Sequence, residues 1–368
     1  VSAGAPGLAS GEASSRRRFR PPLGAILPVA AVVAALLCGV LLILAFRLPL
    51  NEAVSSFIDG AFGSGYAISV SLNRSAVYAL VGLGFIFANR AGLTNVGGEG
   101  QIAVGGIAST ALALTPHVGA LPFGLAFLVP LAGATMAGAA WGGIAGALKA
   151  RVGANEVIST LLLNFIAIWL VYWCVQSENL LRQPMTNAAT LPESRTIPDA
   201  SQLPFLTGDA ASPVTIGLAV ALLLAIVVAV TLARSRFGFQ LRAVGLNPTA
   251  AARAGFSTSQ TVVIAFLVTG AFGGLAGGLM LLGDQYSLKA GFSSGYGYDG
   301  LVVGLLARGS AAGVVAAALL FGFLRSAGIT MEMSAGVPSA LVLVVQGLIV
   351  LAVAGAAYWL DRGQTARG

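Results

Sequence analysis

The chain has 368 residues, of which 57% are hydrophobic, 9% are charged and 49 are glycine, with a formal net charge of +7 at pH 7. An ordinary soluble domain carries about 25% charged residues, and so few charges cannot cover the outside of a chain of this size in water. A soluble globular protein is excluded, and the solvent facing most of the chain is lipid.

Lipid sets the length scale, because a hydrocarbon core of about 30 Å needs about 20 apolar residues as helix. Stretches free of Asp, Glu, Lys and Arg supply them, including residues 100–148, 210–233 and 254–283. No segment alternates apolar and polar residues over about ten positions as a transmembrane strand does. The chain therefore predicts an all-α integral membrane protein. About ten crossings fall near 23–46, 68–88, 101–116, 121–147, 157–176, 213–233, 261–282, 297–307, 311–326 and 338–358.

In chain order, residues 1–22 form a basic extension with Arg16, Arg17, Arg18 and Arg20, followed by an apolar run too long for the core of a signal peptide. The first crossing is therefore expected to be retained. Cys38 and Cys174 lie inside apolar runs and read as packing residues, and the single histidine, His117, follows Pro116 in a turn without ligand neighbours. With the N-terminus inside, 14 of the 20 basic residues fall on the cytoplasmic side. They are the four N-terminal arginines, Arg90, Lys149, Arg151, Arg234, Arg236, Arg242, Arg253, Arg308, Arg362 and Arg367. That excess orients the chain with both termini cytoplasmic, and it puts Arg47, Arg74, Arg182, Arg195, Lys289 and Arg325 outside.

Two connections stand out. The outer loop, 178–212, carries prolines at 184, 192, 198 and 204 and reads as irregular surface chain, either a docking surface for an extracellular partner or a solvated linker. The inner loop, 234–260, contains a complete short helix. Asn247 is its N-cap, Pro248 occupies the first helical position, alanines propagate it and Gly255 takes the left-handed stop. Ser257 with Gln260 then opens the next crossing. A short rigid helix between two spans is a lever able to pass force to a soluble partner.

Within the bilayer, Gly138, Gly142 and Gly146 recur every fourth residue, as do Gly270, Gly274 and Gly278, faces that let helix backbones approach closely. Asn155 as N-cap and Glu156 in the first turn open another crossing. Farther along that crossing Asn164 lies among Leu161, Leu162, Leu163, Phe165 and Ile166 and must find a partner, on a neighbouring helix or on a polar solute. The segment 91–100, AGLTNVGGEG, resembles 290–300, AGFSSGYGYDG, with one residue inserted, and each ends in an acid followed by glycine. The repeat predicts two inverted five-helix halves. Short glycine-interrupted segments in matching positions mark backbone that lines a cavity. Glu99 and Asp299 then face the pathway or its gates, or else sit at helix ends near water. The dinucleotide-like spacing of 295–300 lacks a preceding soluble strand, and no phosphate loop occurs: Lys149 and Lys289 are each followed by alanine.

Taken together, 92–101 (GLTNVGGEGQ), 155–158 (NEVI) with 163–167 (LNFIA), 242–255 (RAVGLNPTAAARAG), 295–304 and 336–339 (GVPS) resemble the membrane permease subunits of ABC importers for branched-chain amino acids, simple sugars and nucleosides. The NEVI block, the tyrosine-bearing 295–300 and the late GVPS are most similar to the nucleoside importers. The crossings set a permease domain at 23–358 with a cytoplasmic tail at 359–368, and the resemblance, which covers about residues 66–357, implies that it lies in the cytoplasmic (inner) membrane. It implies a membrane dimer, often of two different permeases, with ABC ATPase subunits that bind the ATP and an extracellular solute-binding protein or lipoprotein. No cofactor, metal or nucleic acid is expected on this chain, nor an enzyme site of its own. Arg242, Gly245, Asn247, Pro248, Ala251, Ala252, Arg253 and Gly255 match the element that couples to the ATPase. Asn95, Glu99, Gln101, Asn164, Gln285, Tyr296, Tyr298 and Asp299 are the candidates for lining the solute pathway. Transport would proceed by alternating access, and an ion-coupled secondary transporter or channel is the competing reading.

Overall fold

The computed structural model describes residues 23–47, 49–122, 124–185, 192–209, 211–338 and 340–365. The basic residues before position 23, Arg367 and Ser339 of the GVPS segment lie outside them. Fourteen α-helices are described: α1 (Leu23–Ala45), α2 (Leu50–Phe62), α3 (Gly65–Asn89), α4 (Gly98–Ala113), α5 (Pro116–Gly119), α6 (Leu125–Val152), α7 (Glu156–Gln176), α8 (Ile216–Arg234), α9 (Arg236–Leu246), α10 (Pro248–Arg253), α11 (Thr258–Met280), α12 (Tyr296–Leu306), α13 (Ala311–Ala335) and α14 (Ala340–Thr365). A π-helical turn, Leu281–Gln285, continues α11. Among the described residues, six helices are long and apolar enough to cross a membrane: α3, α6, α7, α8, α11 with its π turn, and α13. α1 and α14 each contribute a shorter apolar stretch, Val32–Ala45 and Ala340–Ala352.

Several expected boundaries differ. α2 lies in what reads as a loop, because its 13 residues mix Glu52 and Asp59 with the buried Ala53, Ser56, Gly60 and Ala61, an amphipathic pattern too polar for a crossing. The inner loop holds two helices, α9 and α10, and the tail from 359 continues as α14 to Thr365. Arg74 and Arg325 sit within α3 and α13, as the crossings expected at 68–88 and 311–326 contain them, and α13 runs on past 326 to Ala335. The expected crossings at 101–116 and 297–307 correspond to α4 and α12, with 16 and 11 residues. At 1.5 Å per residue these rise about 24 Å and 16 Å, short of a full span.

Glycine sets the packing. α6 lies against α11 so closely that a Cβ on Gly138 would overlap Gly270 and Gly274, and one on Gly142 would meet the Phe266 carbonyl at 2.5 Å. α4 joins the same contact, since a Cβ on Gly105 would overlap the backbone of Gly274. The Thr269 hydroxyl donates to the Gly84 carbonyl at 2.7 Å, tying α11 to α3. Replacing Gly274 by valine is expected to force α6 and α11 apart and cost about 1–3 kcal/mol of overpacking. Thermal unfolding of the purified variant in detergent measures this, and an unchanged midpoint would contradict the packing.

The contacts pair off between the two halves of the chain. α6 packs on α11 as α13 packs on α3, α4 packs on α6 and α11 as α12 packs on α13 and α3, and α7 touches α4 as α14 touches α12. α3 is the centre of the bundle, buried along most of its length, whereas α7 and α8 present Leu162, Phe165, Ile166, Trp169, Leu223 and Ile226 outward.

Candidate functional site: the meeting of two half-helices

Two ends of the molecule can be told apart. At one, the end of α3 meets α9, with Gly245 against the backbone of Arg90, Ala91 and Gly92. Arg308 and Gly309, just past α12, line the same cleft. At the other, residues 192–209 are stitched to the end of α11. Ser194 N–H donates to Leu288 O at 2.8 Å, Ile197 N–H to Tyr286 O at 2.9 Å and Leu203 N–H to Leu282 O at 2.8 Å. α4 ends at this loop end, where a Cβ on Gly119 would lie 3.8 Å from Pro198. The segments before α4 and before α12 enter the bundle from opposite ends, and the two short helices meet N-terminus to N-terminus inside it.

Glu99 joins them. Buried to 3% exposure, its carboxylate accepts the Gly295 N–H on Oε1 and the Gly297 N–H on Oε2, each at 2.8 Å. A Cβ on Gly297 would overlap the backbone of Gly98 and Glu99, so only glycine permits the approach. The first N–H groups of a helix have no partner within it, and the helix carries roughly half a positive charge at that end. Two such ends repel. The Glu99 carboxylate lies between them, satisfying two donors of α12 with charge-assisted bonds while sitting in the first turn of α4.

Asn164, fully buried on α7, holds the α4 side. Its Oδ1 accepts the Gly100 N–H at 2.8 Å, and its Nδ2 donates to Val96 O at 2.9 Å and to the Tyr298 hydroxyl at 3.4 Å. Of the two partners open to it, a neighbouring element supplies the bonds. Asn164→Ala is expected to destabilise the fold by about 2–4 kcal/mol, through three lost bonds and buried groups left unsatisfied. Asn164→Asp, which keeps an acceptor for Gly100 but loses the donor to Val96, should also be impaired. Unfolding midpoints read both, and an alanine variant as stable as the parent would remove this anchoring role.

Asn95 and Gln101 pair with each other, Nδ2 to Oε1 at 3.2 Å and Nε2 to Oδ1 at 3.4 Å, and Asn95 Oδ1 also accepts the Gly97 N–H at 2.9 Å. Both side chains are buried and hold the turn before α4. Tyr296 is buried against α3, stacked on Tyr78 with ring centroids 4.9 Å apart, and Tyr78 donates to Asp299 Oδ2 at 3.2 Å. Tyr298, on the other side of α12, is the tyrosine of the pair that is open, at 37% exposure. Gln285 lies apart from the junction at the end of the π turn, where its Nε2 donates to Phe292 O at 3.2 Å.

Four residues of this neighbourhood escaped the sequence reading. The Arg325 guanidinium lies 5.6 Å from the Tyr296 ring centroid and donates to Ser294 O at 3.2 Å. Arg74 donates to Ser326 Oγ at 2.8 Å and shares a small cleft with Asp284 and Tyr296. Tyr78 is the fourth. An ionisable group inside an apolar span is by itself a signal of function, and Arg74, Arg325 and Asp284 carry that signal.

At the opposite end the short helix α10 is built as its capping residues dictate. Asn247 Oδ1 accepts the Ala250 N–H at 3.0 Å, Pro248 opens α10 and Gly255 has φ +89°. Ala251 is the buried residue of α10, whereas Ala252, Arg253 and Gly255 are exposed. Arg242 reaches back from α9 to Leu232 O at 3.3 Å. Asn155 caps α7 by accepting from Val157 and Ile158, and Glu156 pairs with Lys149 at 2.8 Å.

No solved structure matches the chain. Among characterised proteins it is similar to the guanosine ABC transporter permease protein NupP of Bacillus subtilis, at 36% identity over 89% of this chain and 92% of that protein. It is similar to the glucose ABC transporter permease protein TsgB13 of Haloferax volcanii, at 35% over 88% and 85%. It is also similar to the nucleoside ABC transporter permease protein NupB of Lactococcus lactis, at 31% over 89% and 90%. The model of the branched-chain amino acid transport system / permease component family matches residues 67–354. With apolar spans packed around two half-helices and a match over most of its length, the chain belongs to this family of membrane permeases.

Proposed function

We propose that this chain is the membrane-spanning subunit of an ATP-driven importer of nucleosides, working by alternating access between two inverted halves. The observation that carries the substrate class is the likeness to NupP and NupB, named for guanosine and nucleosides, over nearly the whole chain. The paired contacts of α3, α4, α6 with α11, α12, α13 support the inverted halves, and the meeting of α4 and α12 supports a pathway at their junction. α10 is the element to which an ATPase subunit docks, which places that end and both termini in the cytoplasm, and residues 178–212 face an extracellular solute-binding protein or lipoprotein. A second permease covers the open side of α12, where Tyr298 and Leu305 are exposed. The pathway candidates then divide: Tyr298 and Asp299 line it, whereas Asn95, Glu99, Gln101 and Asn164 shape its walls.

The likeness to TsgB13, named for glucose, favours simple sugars as the second reading. Uptake of labelled guanosine, glucose and leucine by cells expressing the complete transporter separates the classes. Guanosine uptake that needs the ATPase subunit is the expected result. Glucose uptake alone would move the assignment to sugars, and uptake driven by an ion gradient without an ATPase would overturn the importer reading.

A further inference from the structure

The open face of α12 sets one carboxylate at the edge of an apolar strip. Tyr298, Val302 and Leu305, four and three residues apart, share that face, with Tyr298 and Leu305 exposed and Val302 half-buried. Asp299 lies beside them, half-exposed. Its Oδ2 accepts the Tyr78 O–H at 3.2 Å, and its Oδ1 accepts from no donor among the described residues. No ion pair answers its charge either. The Arg325 guanidinium, within electrostatic reach, lies over the Tyr296 ring and donates to Ser294 O. The N–H groups of Gly295 and Gly297 are spent on Glu99. An ionisable group among membrane helices with an oxygen left open marks a place where a solute completes the bonding. The Tyr298 ring is held ready beside it, since its hydroxyl accepts from Asn164 Nδ2 at 3.4 Å.

An ionised carboxylate only accepts hydrogen bonds, so what completes Asp299 must carry donors, and the adjoining strip asks for a flat apolar surface. A ribonucleoside presents both. Its adjacent 2′ and 3′ hydroxyls offer two donors side by side, and its base offers a face that stacks on an aromatic ring. We infer that Asp299 is the group that recognises the ribose diol of the imported solute, with the base laid against Tyr298. This rests on the proposed import of nucleosides and names what such a solute has to carry. The proposed second permease forms the opposite wall of the same space. An analogue lacking a hydroxyl leaves the carboxylate short of a donor, the situation in which hydrogen-bonding sites discriminate most strongly.

The test compares uptake of guanosine, 2′-deoxyguanosine and 3′-deoxyguanosine by the complete transporter carrying the unaltered chain, D299A, D299N or Y298A. The solute-binding protein makes its own choice among the three, but that choice is common to all variants and divides out when ratios are compared. The preference for guanosine over the deoxy analogues should fall about tenfold in D299A, the loss of a hydrogen bond to a charged group. D299N, which keeps one acceptor, should fall less. Y298A should slow all three nucleosides alike and leave the ratio in place. Where D299A fails to assemble with the ATPase subunit, the unaltered complex supplies the second readout, photolabelling by 8-azidoguanosine without solute-binding protein. The label should map to the first turns of α12, and guanosine should compete for it about tenfold better than 2′,3′-dideoxyguanosine. An unchanged ratio in an assembled D299A transporter, label placed elsewhere, or equal competition by the two nucleosides overturns the assignment and leaves nucleoside import standing. No guanosine uptake by the unaltered transporter is a different failure: it overturns the nucleoside reading, and the diol assignment with it.

Discussion

Replacing Glu99 by alanine is expected to abolish uptake and to destabilise the bundle by about 3–5 kcal/mol, the cost of leaving buried polar partners without their charge. Two N–H donors of α12, at Gly295 and Gly297, would lose acceptors that lie 2.8 Å away. The positive ends of α4 and α12 would then face each other with no counter-charge between them. Glu99→Gln separates shape from charge: the amide keeps one acceptor oxygen but turns an NH₂ group toward a donor, so an intermediate loss of stability and most of the loss of transport are expected. Glu99→Asp keeps the charge and falls short by one methylene, and cannot span both donors. Unfolding midpoints in detergent and uptake by the complete transporter check the series. An alanine variant that assembles normally and transports at the parental rate would show that the two half-helices do not need this clasp.

The clasp was half legible in the sequence. The likeness between residues 91–100 and 290–300 singled out both segments, and an acid within short glycine-rich chain pointed to functional backbone. Their direct contact was not legible, because it joins residues 196 and 198 apart in the chain, and side-chain pattern says nothing about which loop another loop meets. The same limit explains Asn95 and Gln101: an amide in apolar chain requires a partner, but the pattern cannot say that each is the other's. Local chemistry read well. Asn155, Asn247 and Ser257 cap α7, α10 and α11 as their residue types dictate. The crossing expected to end at 326 read short, because α13 runs nine residues farther to Ala335, past Arg325, whose head group finds Ser294 O and the Tyr296 ring. Hydrophobic run length also passes over α2 and α9, which are helices with one polar face.

Gly245→Leu is expected to stop uptake while leaving intact the surface of α10 proposed to dock the ATPase subunit. A Cβ at Gly245 would lie 2.5 Å from Arg90 O and 2.9 Å from both Ala91 C and Gly92 N, so a leucine drives α9 away from the loop that follows α3. That loop leads within a few residues to the turn held by Asn95 and Asn164, and from there to Glu99 and the start of α12. Chain segments and side-chain-to-backbone hydrogen bonds thus join the end of α9, next to α10, to the half-helix junction without a break, the kind of physical connection that coupling between distant sites requires. Displacing one link costs about 1–3 kcal/mol of overpacking, which a bundle of this size tolerates, and under the proposed coupling through α10 it changes where that helix's motion is delivered. The expected signature is an ATPase subunit that still co-purifies with the permease and still hydrolyses ATP, no longer stimulated by loaded solute-binding protein, with uptake reduced at least about tenfold. Gly245→Ala, with the smallest added volume, should lie between. If the leucine variant instead loses the ATPase subunit, position 245 belongs to the docking surface. If it imports normally, force from α10 reaches the junction by another route, through α11.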